Sequence, residues 1–199
     1  MLGHYKEHVD RLADPVARAL VHARVRPNQL SLCGLVASCL AALTLALGYP
    51  RPGGLLLAVA GALDILDGAV ARAARQTSAF GAFLDSVLDR YSDLLVLGGV
   101  IVLFARRGAV SDLVIGLLAL AGTVMVSYTR ARAESVGVEC RVGIMERGER
   151  LLTLIAGALL DLLAPAMWLL AVGANATAVH RIVHTWRATR PVSTGRHGA

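Results

Sequence analysis

Long apolar stretches recur along the chain and are separated by short polar segments. A helix that crosses a bilayer needs about 20 mostly apolar residues. Most of the stretches approach or exceed that length, although the fifth is shorter and the boundary between the last two is the least distinct. The pattern therefore predicts an all-α integral membrane protein with six membrane-spanning helices. The stretches cover residues 30–48, 53–67, 80–105, 113–129, 151–160 and 162–179.

The segment before the first stretch has a different pattern. Asp14 followed by Pro15 is typical of a helix N-cap and first helical residue. Apolar residues recur there at helical spacing and arginines lie between them, as in a basic amphipathic helix at a membrane interface. We predict an interfacial helix over 1–27, a membrane catalytic domain over 28–187 and a mobile polar tail over 188–199. The apolar positions of the first segment are Val9, Leu12, Val16 and Leu20.

Composition supports the membrane interpretation. Of the 199 residues, 56% are hydrophobic and only 17% are charged, whereas soluble domains average about 25% charged residues. The net charge of +6 is compatible with nucleic acid or with anionic lipid. Aromatic residues make up only 5%, too few for stacking on single-stranded bases, so we expect no nucleic-acid partner.

The distribution of basic residues predicts the orientation. Most of them fall in the two termini and in the loops after the second and fourth predicted spans. Lysine and arginine concentrate on the cytoplasmic side of membrane proteins. We therefore expect a multi-pass protein of the cell membrane with both termini in the cytoplasm.

Aspartates interrupt two of the apolar stretches. An ionised carboxylate at the centre of a membrane helix costs about 2.5–3.5 kcal/mol on insertion scales. Asp64 and Asp67 are three residues apart, and Asp85, Asp89 and Asp93 follow one another at intervals of four, so each set shares one helix face. Because only a short loop joins the two helices, we expect them to be antiparallel neighbours with both acidic sets near the cytoplasmic end.

Carboxylates that face one another repel unless a cation lies between them. All-oxygen sites favour Mg²⁺, Mn²⁺ or Ca²⁺ over zinc. Two other interpretations remain open: ion pairs with Arg72, Arg75 and Arg90, and a cation or proton transporter, in which intramembrane acids are also common.

Small residues favour a phosphate ligand over either alternative. Gly68, Ala71 and Gly81 each lie one turn from an aspartate and leave room for a bulky group beside the acids. Arg72 adds a guanidinium that can bind phosphate through two parallel hydrogen bonds.

Together these residues resemble the signature of the CDP-alcohol phosphatidyltransferases. The resemblance implies a membrane enzyme that transfers a phosphatidyl group from CDP-diacylglycerol to an alcohol and releases CMP. It also implies a homodimer whose active site faces the cytoplasm. The matching residues read Asp64-x-x-Asp67-Gly68-x-x-Ala71-Arg72, then eight residues, then Gly81-x-x-x-Asp85-x-x-x-Asp89.

The resemblance also implies roles for these residues. Asp64, Asp67 and Asp85 would be ligands of two Mg²⁺ or Mn²⁺ ions, with Asp89 as a further ligand and as the general base for the acceptor hydroxyl. The implied nucleotide-binding positions are Asp67, Gly68, Ala71, Arg72, Gly81 and Asp85.

The acceptor is indicated by a second resemblance, to the phosphatidylinositol-phosphate synthases within that family. Residues 127–134 and 146–150 resemble their conserved runs, and Arg130, Arg150 and Arg181 match the basic trio that binds the phosphate of inositol 1-phosphate. Arg130 stands where lysine is usual. The preference for basic residues on the cytoplasmic side also explains many loop arginines without any substrate. Alternatives are glycerol 3-phosphate as acceptor, or an archaeal lipid or CDP-inositol as donor. The roles of Asp93, His180 and His184 stay open.

Overall fold

The computed structural model describes residues 3–74 and 78–190, with side chains from residue 13 onward. The predicted loop at 75–77, with Arg75, and the last nine residues of the predicted tail lie outside the described residues. Within them the chain is all-helical, as predicted. The helices are α1 (Gly3–His22), α2 (Pro27–Ala46), α3 (Pro50–Ala73), α4 (Ala79–Arg106), α5 (Val110–Ser135), α6 (Arg147–Leu159) and α7 (Leu163–Ala188).

Each predicted apolar stretch lies in one of the helices α2 to α7. Four of these, α2, α3, α5 and α7, are long and apolar enough to cross a membrane, as in a multi-pass membrane protein. Helix α4 has 28 residues but carries charged residues in its first half. Helix α6 has 13 residues, which span only about 20 Å. The count of six spans therefore stays a prediction.

The predicted start of the first helix was wrong. Helix α1 begins at Gly3, and Pro15 lies inside it rather than at its first turn. A proline inside a helix removes one hydrogen bond to the carbonyl four residues back. Helix α1 continues through that loss, and Ala13 and Ala17 on either side of the proline are buried in one cluster with Val70 of α3. Val16, from the predicted apolar face, is 47% exposed.

Helices α2 to α7 form a ring of neighbours. Following the main contacts, α2 packs on α3, α3 on α6, α6 on α7, α7 on α5, α5 on α4, and α4 on α2, while α1 packs on the outside against α3. Every helix of the ring contributes to one apolar core. Its most completely buried large side chains are Leu45, Leu97, Val100, Met167 and Leu170.

Helices α3 and α4, predicted as antiparallel neighbours, meet at their acidic ends, although most of their packing is with other helices. Among the described helices, they are not one of the main packing pairs, and α2 packs against both. Acidic residues of α3 and α4 line a cavity together with residues of α2 and α6.

Helices α2 and α4 approach each other closely at Gly99. A Cβ added at Gly99 of α4 would clash with the carbonyl oxygen of Ala42, whereas a Cβ at the adjacent Gly98 would meet none of the described residues within 4 Å. Only a residue without a side chain fits at position 99.

We expect Gly99→Ala to lower the free energy of unfolding by about 1–3 kcal/mol, the usual cost of overpacking. The added methyl meets backbone atoms, which cannot rotate away. Gly98→Ala is the matched control and should leave stability unchanged or raise it by up to about 1 kcal/mol through helix propensity. Thermal and denaturant unfolding of the detergent-solubilised protein measure both. Equal stability of the two variants would contradict the close approach of α2 and α4.

Candidate active site

Three aspartates from two helices converge at one point. Asp64 and Asp67 of α3 and Asp85 of α4 each offer a carboxylate oxygen, and these oxygens all lie within 4.8 Å of one another. Asp67 is buried, and its Oδ2 accepts a hydrogen bond of 2.6 Å from Ser31 Oγ of α2. The structure thus brings together three of the four aspartates that are predicted as metal ligands.

This donor set suits a hard divalent cation. All the converging atoms are carboxylate oxygens, which Mg²⁺ and Mn²⁺ accept readily. Their mutual repulsion in a partly buried site is relieved when a cation binds among them. Asp64, Asp67 and Asp85 therefore fit the metal that the sequence predicts.

The fourth aspartate, Asp89, lies outside this group and is held by an arginine. Arg147 Nη2 forms an ion pair with Asp89 Oδ1 at 2.7 Å, and Arg147 Nη1 donates a hydrogen bond to Asp64 Oδ2 at 2.6 Å. The sequence patterns assign no role to Arg147. Its position three residues before Arg150, on the same face of α6, is the signal that could have indicated one.

A second cavity, of about 490 Å³, adjoins the acidic cluster. The three arginines of the predicted acceptor site line it, although they come from three different helices. Asp89 and Arg147 line both this cavity and the small cavity of about 40 Å³ at the acidic cluster, so these two residues form a shared wall. The arginines are Arg130 of α5, Arg150 of α6 and Arg181 of α7.

Two of these arginines are buried and fixed by hydrogen bonds. Arg150 Nη2 donates to Asp93 Oδ2 at 2.8 Å, which places Asp93 as an ion-pair partner outside the metal cluster. Arg181 Nε donates to the carbonyl of Val142 at 2.8 Å, and its Nη1 donates to the carbonyl of Val126 at 2.6 Å. Both guanidinium groups are therefore held in place by the protein.

Arg130 is the most accessible of the three. Its side chain is about half exposed, and its Nε donates to Glu134 Oε1 at 2.9 Å, one helical turn away. An exposed pair of this kind contributes little to stability, so Arg130 can exchange this partner for a ligand at small cost.

Arg90 is a further cation of the larger cavity. It hydrogen-bonds Ser127 of α5, and its Nη2 lies 3.8 Å from Asp89 Oδ2. Its Nε is buried without a hydrogen-bond partner. The sequence indicates Arg90 only as a possible ion-pair partner of the aspartates. The structure shows that Arg90 also lines the larger cavity.

The predicted nucleotide-binding positions lie beside the acidic cluster. Gly68 is in the turn after Asp64, and Ala71 and Arg72 follow near the end of α3, where Arg72 is exposed. Gly81 lies in the first turn of α4, and its N–H donates to Ser78 Oγ, the N-cap, at 3.0 Å.

The profile of one known family covers most of the chain. The profile described as CDP-alcohol phosphatidyltransferase matches residues 24–182. The chain belongs to this family. As a CDP-alcohol phosphatidyltransferase it is an enzyme of phospholipid biosynthesis, as the signature predicts.

Similar proteins of this family come from archaea and bacteria. An archaetidylinositol phosphate synthase of Methanothermobacter thermautotrophicus is 39% identical over 94% of this chain and 95% of its own length. A phosphatidylinositol phosphate synthase of Mycobacteroides abscessus is 36% identical over 89% of this chain and 84% of its own.

Solved structures of this family superpose closely. The crystal structure of Mycobacterium tuberculosis phosphatidylinositol phosphate synthase with CDP-DAG bound aligns with a TM-score of 0.82 and 31% identity, over 95% of this chain and all of that one. The same enzyme in complex with manganese and citrate aligns with a TM-score of 0.81 and 32% identity, over 94% and 93% of the two chains.

We expect Asp85→Asn to weaken Mn²⁺ binding by about tenfold or more, because the affinity of an oxygen site depends on its number of charged ligands. The control is Asp112→Asn, which should leave binding unchanged. Asp112 lies in the first turn of α5, just after the end of α4 that is remote from Asp85. Titration of the purified protein with Mn²⁺, followed by the electron paramagnetic resonance of the free ion, measures the affinity. Unaltered binding in Asp85→Asn would remove Asp85 from the metal site.

Proposed function

We propose that this enzyme transfers the phosphatidyl group of CDP-diacylglycerol to inositol 1-phosphate, giving phosphatidylinositol phosphate and CMP. One observation carries the proposal: a cavity lined by three arginines shares a wall with the cluster of aspartates. The names of similar proteins support the acceptor, since both the archaeal and the bacterial relatives are synthases of an inositol phosphate lipid.

The cations of the larger cavity favour a phosphorylated acceptor. Arg130, Arg150 and Arg181 offer several N–H donors to one cavity, and guanidinium groups bind phosphate through paired hydrogen bonds. Free inositol or serine brings no phosphate to these groups. The same cavity also holds Glu134 and Glu146, whose oxygens can accept hydrogen bonds from the hydroxyls of a polyol.

Asp64, Asp67 and Asp85 would hold the divalent metal, and Asp89 would join them when a second ion binds. A pair of Mg²⁺ or Mn²⁺ ions, when bound, neutralises the pyrophosphate of the donor and the charge that develops on CMP. The similar structure from M. tuberculosis was obtained with manganese, which supports divalent metal use here.

Asp89 is the proposed base because it borders both cavities. The acceptor hydroxyl oxygen forms a bond to the phosphorus that carries the diacylglycerol, and the bond from that phosphorus to the bridging oxygen breaks. CMP leaves with the electron pair of that bond, and the hydroxyl proton passes to the carboxylate of Asp89. A base in the shared wall can reach an acceptor hydroxyl in one cavity and a donor phosphate in the other.

The donor would approach over the small residues of α3 and α4. Gly68, Ala71 and Gly81 leave space beside the aspartates, and Arg72 adds a cation at the end of α3. With the cytoplasmic orientation, the six spans and the homodimer that the sequence predicts, CDP-diacylglycerol would remain in the bilayer while its nucleotide reaches the site from the cytoplasm.

A second candidate changes only the donor. The 39% identity to an archaetidylinositol phosphate synthase favours a CDP-linked archaeal lipid as the alternative to CDP-diacylglycerol, with the same acceptor. Glycerol 3-phosphate, which also carries a phosphate, is the alternative acceptor. Membership of a transferase family favours these over the transporter interpretation.

We expect the purified enzyme to release CMP from CDP-diacylglycerol with inositol 1-phosphate and Mg²⁺, and not with inositol or serine, which lack a phosphate for the arginines. CMP measured by chromatography separates the candidates, with omission of the metal as the control. CMP release with glycerol 3-phosphate alone would show that glycerol 3-phosphate is the acceptor. No CMP release with any of the four alcohols would favour the archaeal lipid as donor.

We expect Arg130→Gln to raise the KM for inositol 1-phosphate by about tenfold, the usual effect of losing one hydrogen bond between charged groups. Arg130 is half exposed, so this variant should fold normally. Arg132→Gln is the matched control, since Arg132 lies on the same helix and contacts Ser135 instead of the cavity. Equal KM values for the two variants would show that Arg130 does not bind the acceptor and that its charge only helps to orient the protein in the membrane.

A further inference from the structure

Arg147 occupies an unusual place for a cation. It is the first residue of α6, where the helix dipole disfavours positive charge. Its guanidinium is nevertheless held by a charge-assisted hydrogen bond to Asp64 of α3 and by an ion pair with Asp89 of α4. The two carboxylates therefore determine where this side chain lies.

One of the two carboxylates that Arg147 engages belongs to the predicted metal site. Asp64 is part of the converging triad, whereas Asp89, held by Arg147, is not. A second divalent ion that used Asp64 and Asp89 would need the same two carboxylates. The guanidinium of Arg147 and that ion would therefore compete for the carboxylates of Asp64 and Asp89.

The surroundings give Arg147 a place to go. It lines the cavity of about 490 Å³ as well as the acidic cluster, and its side chain is 28% exposed. The next residue, Gly148, lines the same cavity and brings no side chain into it. The cavity therefore offers the guanidinium of Arg147 space beyond the two carboxylates.

We propose that Arg147 is a resident cation that competes with the second divalent ion for Asp64 and Asp89. While it holds both carboxylates, it neutralises the two acids and keeps Asp89 away from the triad. Binding of the second ion releases the guanidinium into the larger cavity, where its charge is available to a phosphate. This role is one of positioning, and it rests on the proposed two-ion site.

The sign of one measurement separates this role from a purely structural one. If Arg147 competes with the ion, its removal tightens metal binding. If Arg147 instead keeps both bonds while metal is bound and orients the carboxylates, its removal loosens metal binding or leaves it unchanged.

The test is Arg147→Met, which keeps much of the side-chain length and removes the charge. Titration with Mn²⁺ alone, followed by the electron paramagnetic resonance of the free ion, gives the number of ions and their affinities. We expect the more weakly bound of two Mn²⁺ ions to bind about tenfold more tightly than in the wild-type protein. A charge within ion-pair distance of a carboxylate changes the binding equilibrium of a cation at that carboxylate by at least this factor.

Arg130→Met is the matched control for this titration. It removes the same charge from the same cavity, but Arg130 pairs with Glu134 instead of the acidic cluster, so Mn²⁺ affinity should change less than twofold. Weaker or unchanged binding in Arg147→Met, an equal gain in both variants, or a single ion in both Arg147→Met and the wild-type protein would overturn the proposal.

A second measurement covers the case in which Arg147→Met does not fold. A crystal structure of the wild-type protein with Mn²⁺ should show Arg147 separated from Asp64 and Asp89, and both bonds intact beside two bound ions would overturn the proposal. Neither experiment uses a lipid or an acceptor. Failure of the CMP assay would therefore remove the proposed reaction without deciding the role of Arg147.

Discussion

Repulsion among carboxylates in apolar helices is the constraint on which this structure depends. Asp64, Asp67, Asp85 and Asp89 come from helices whose other residues favour the membrane, and their charges need compensation within the protein. Arg147 supplies part of it through two ion pairs, with Asp64 and Asp89, and Arg90 lies near Asp89. Divalent ions, whose oxygen ligands the triad matches, would complete the compensation.

The helix arrangement accommodates this constraint. Helices α3 and α4 carry the acids and line one small cavity with them, while α2 packs on both and α6 brings Arg147 to them. The close contact at Gly99 holds α4 against α2. The ring is therefore tightly packed in its apolar core and open at its acidic end, where donor and acceptor would meet.

Sequence patterns predicted what depends on local spacing. The intervals between Asp64, Asp67 and Asp85 place them on matching helix faces, and the three arginines of the acceptor site do reach one cavity. Arg147 was missed because its partner Asp64 lies 83 positions away, and no local pattern connects them. The start of α1 was misplaced because Ala13, which precedes Pro15, packs in one cluster with Ala17 and with Val70 of α3, and this packing outweighs the preference of Pro15 for a first turn.

The two carbonyl hydrogen bonds of Arg181 bear on how tightly an acceptor can bind. A flexible arginine loses about 0.5–1.5 kcal/mol of conformational entropy when a ligand immobilises it. Arg181 is already immobilised by Val142 and Val126, so that loss occurs during folding instead of during binding. The N–H groups of Arg181 that remain free of these carbonyls would thus present a pre-organised surface to the phosphate of the proposed acceptor, and more of the attraction between phosphate and guanidinium would be retained as affinity.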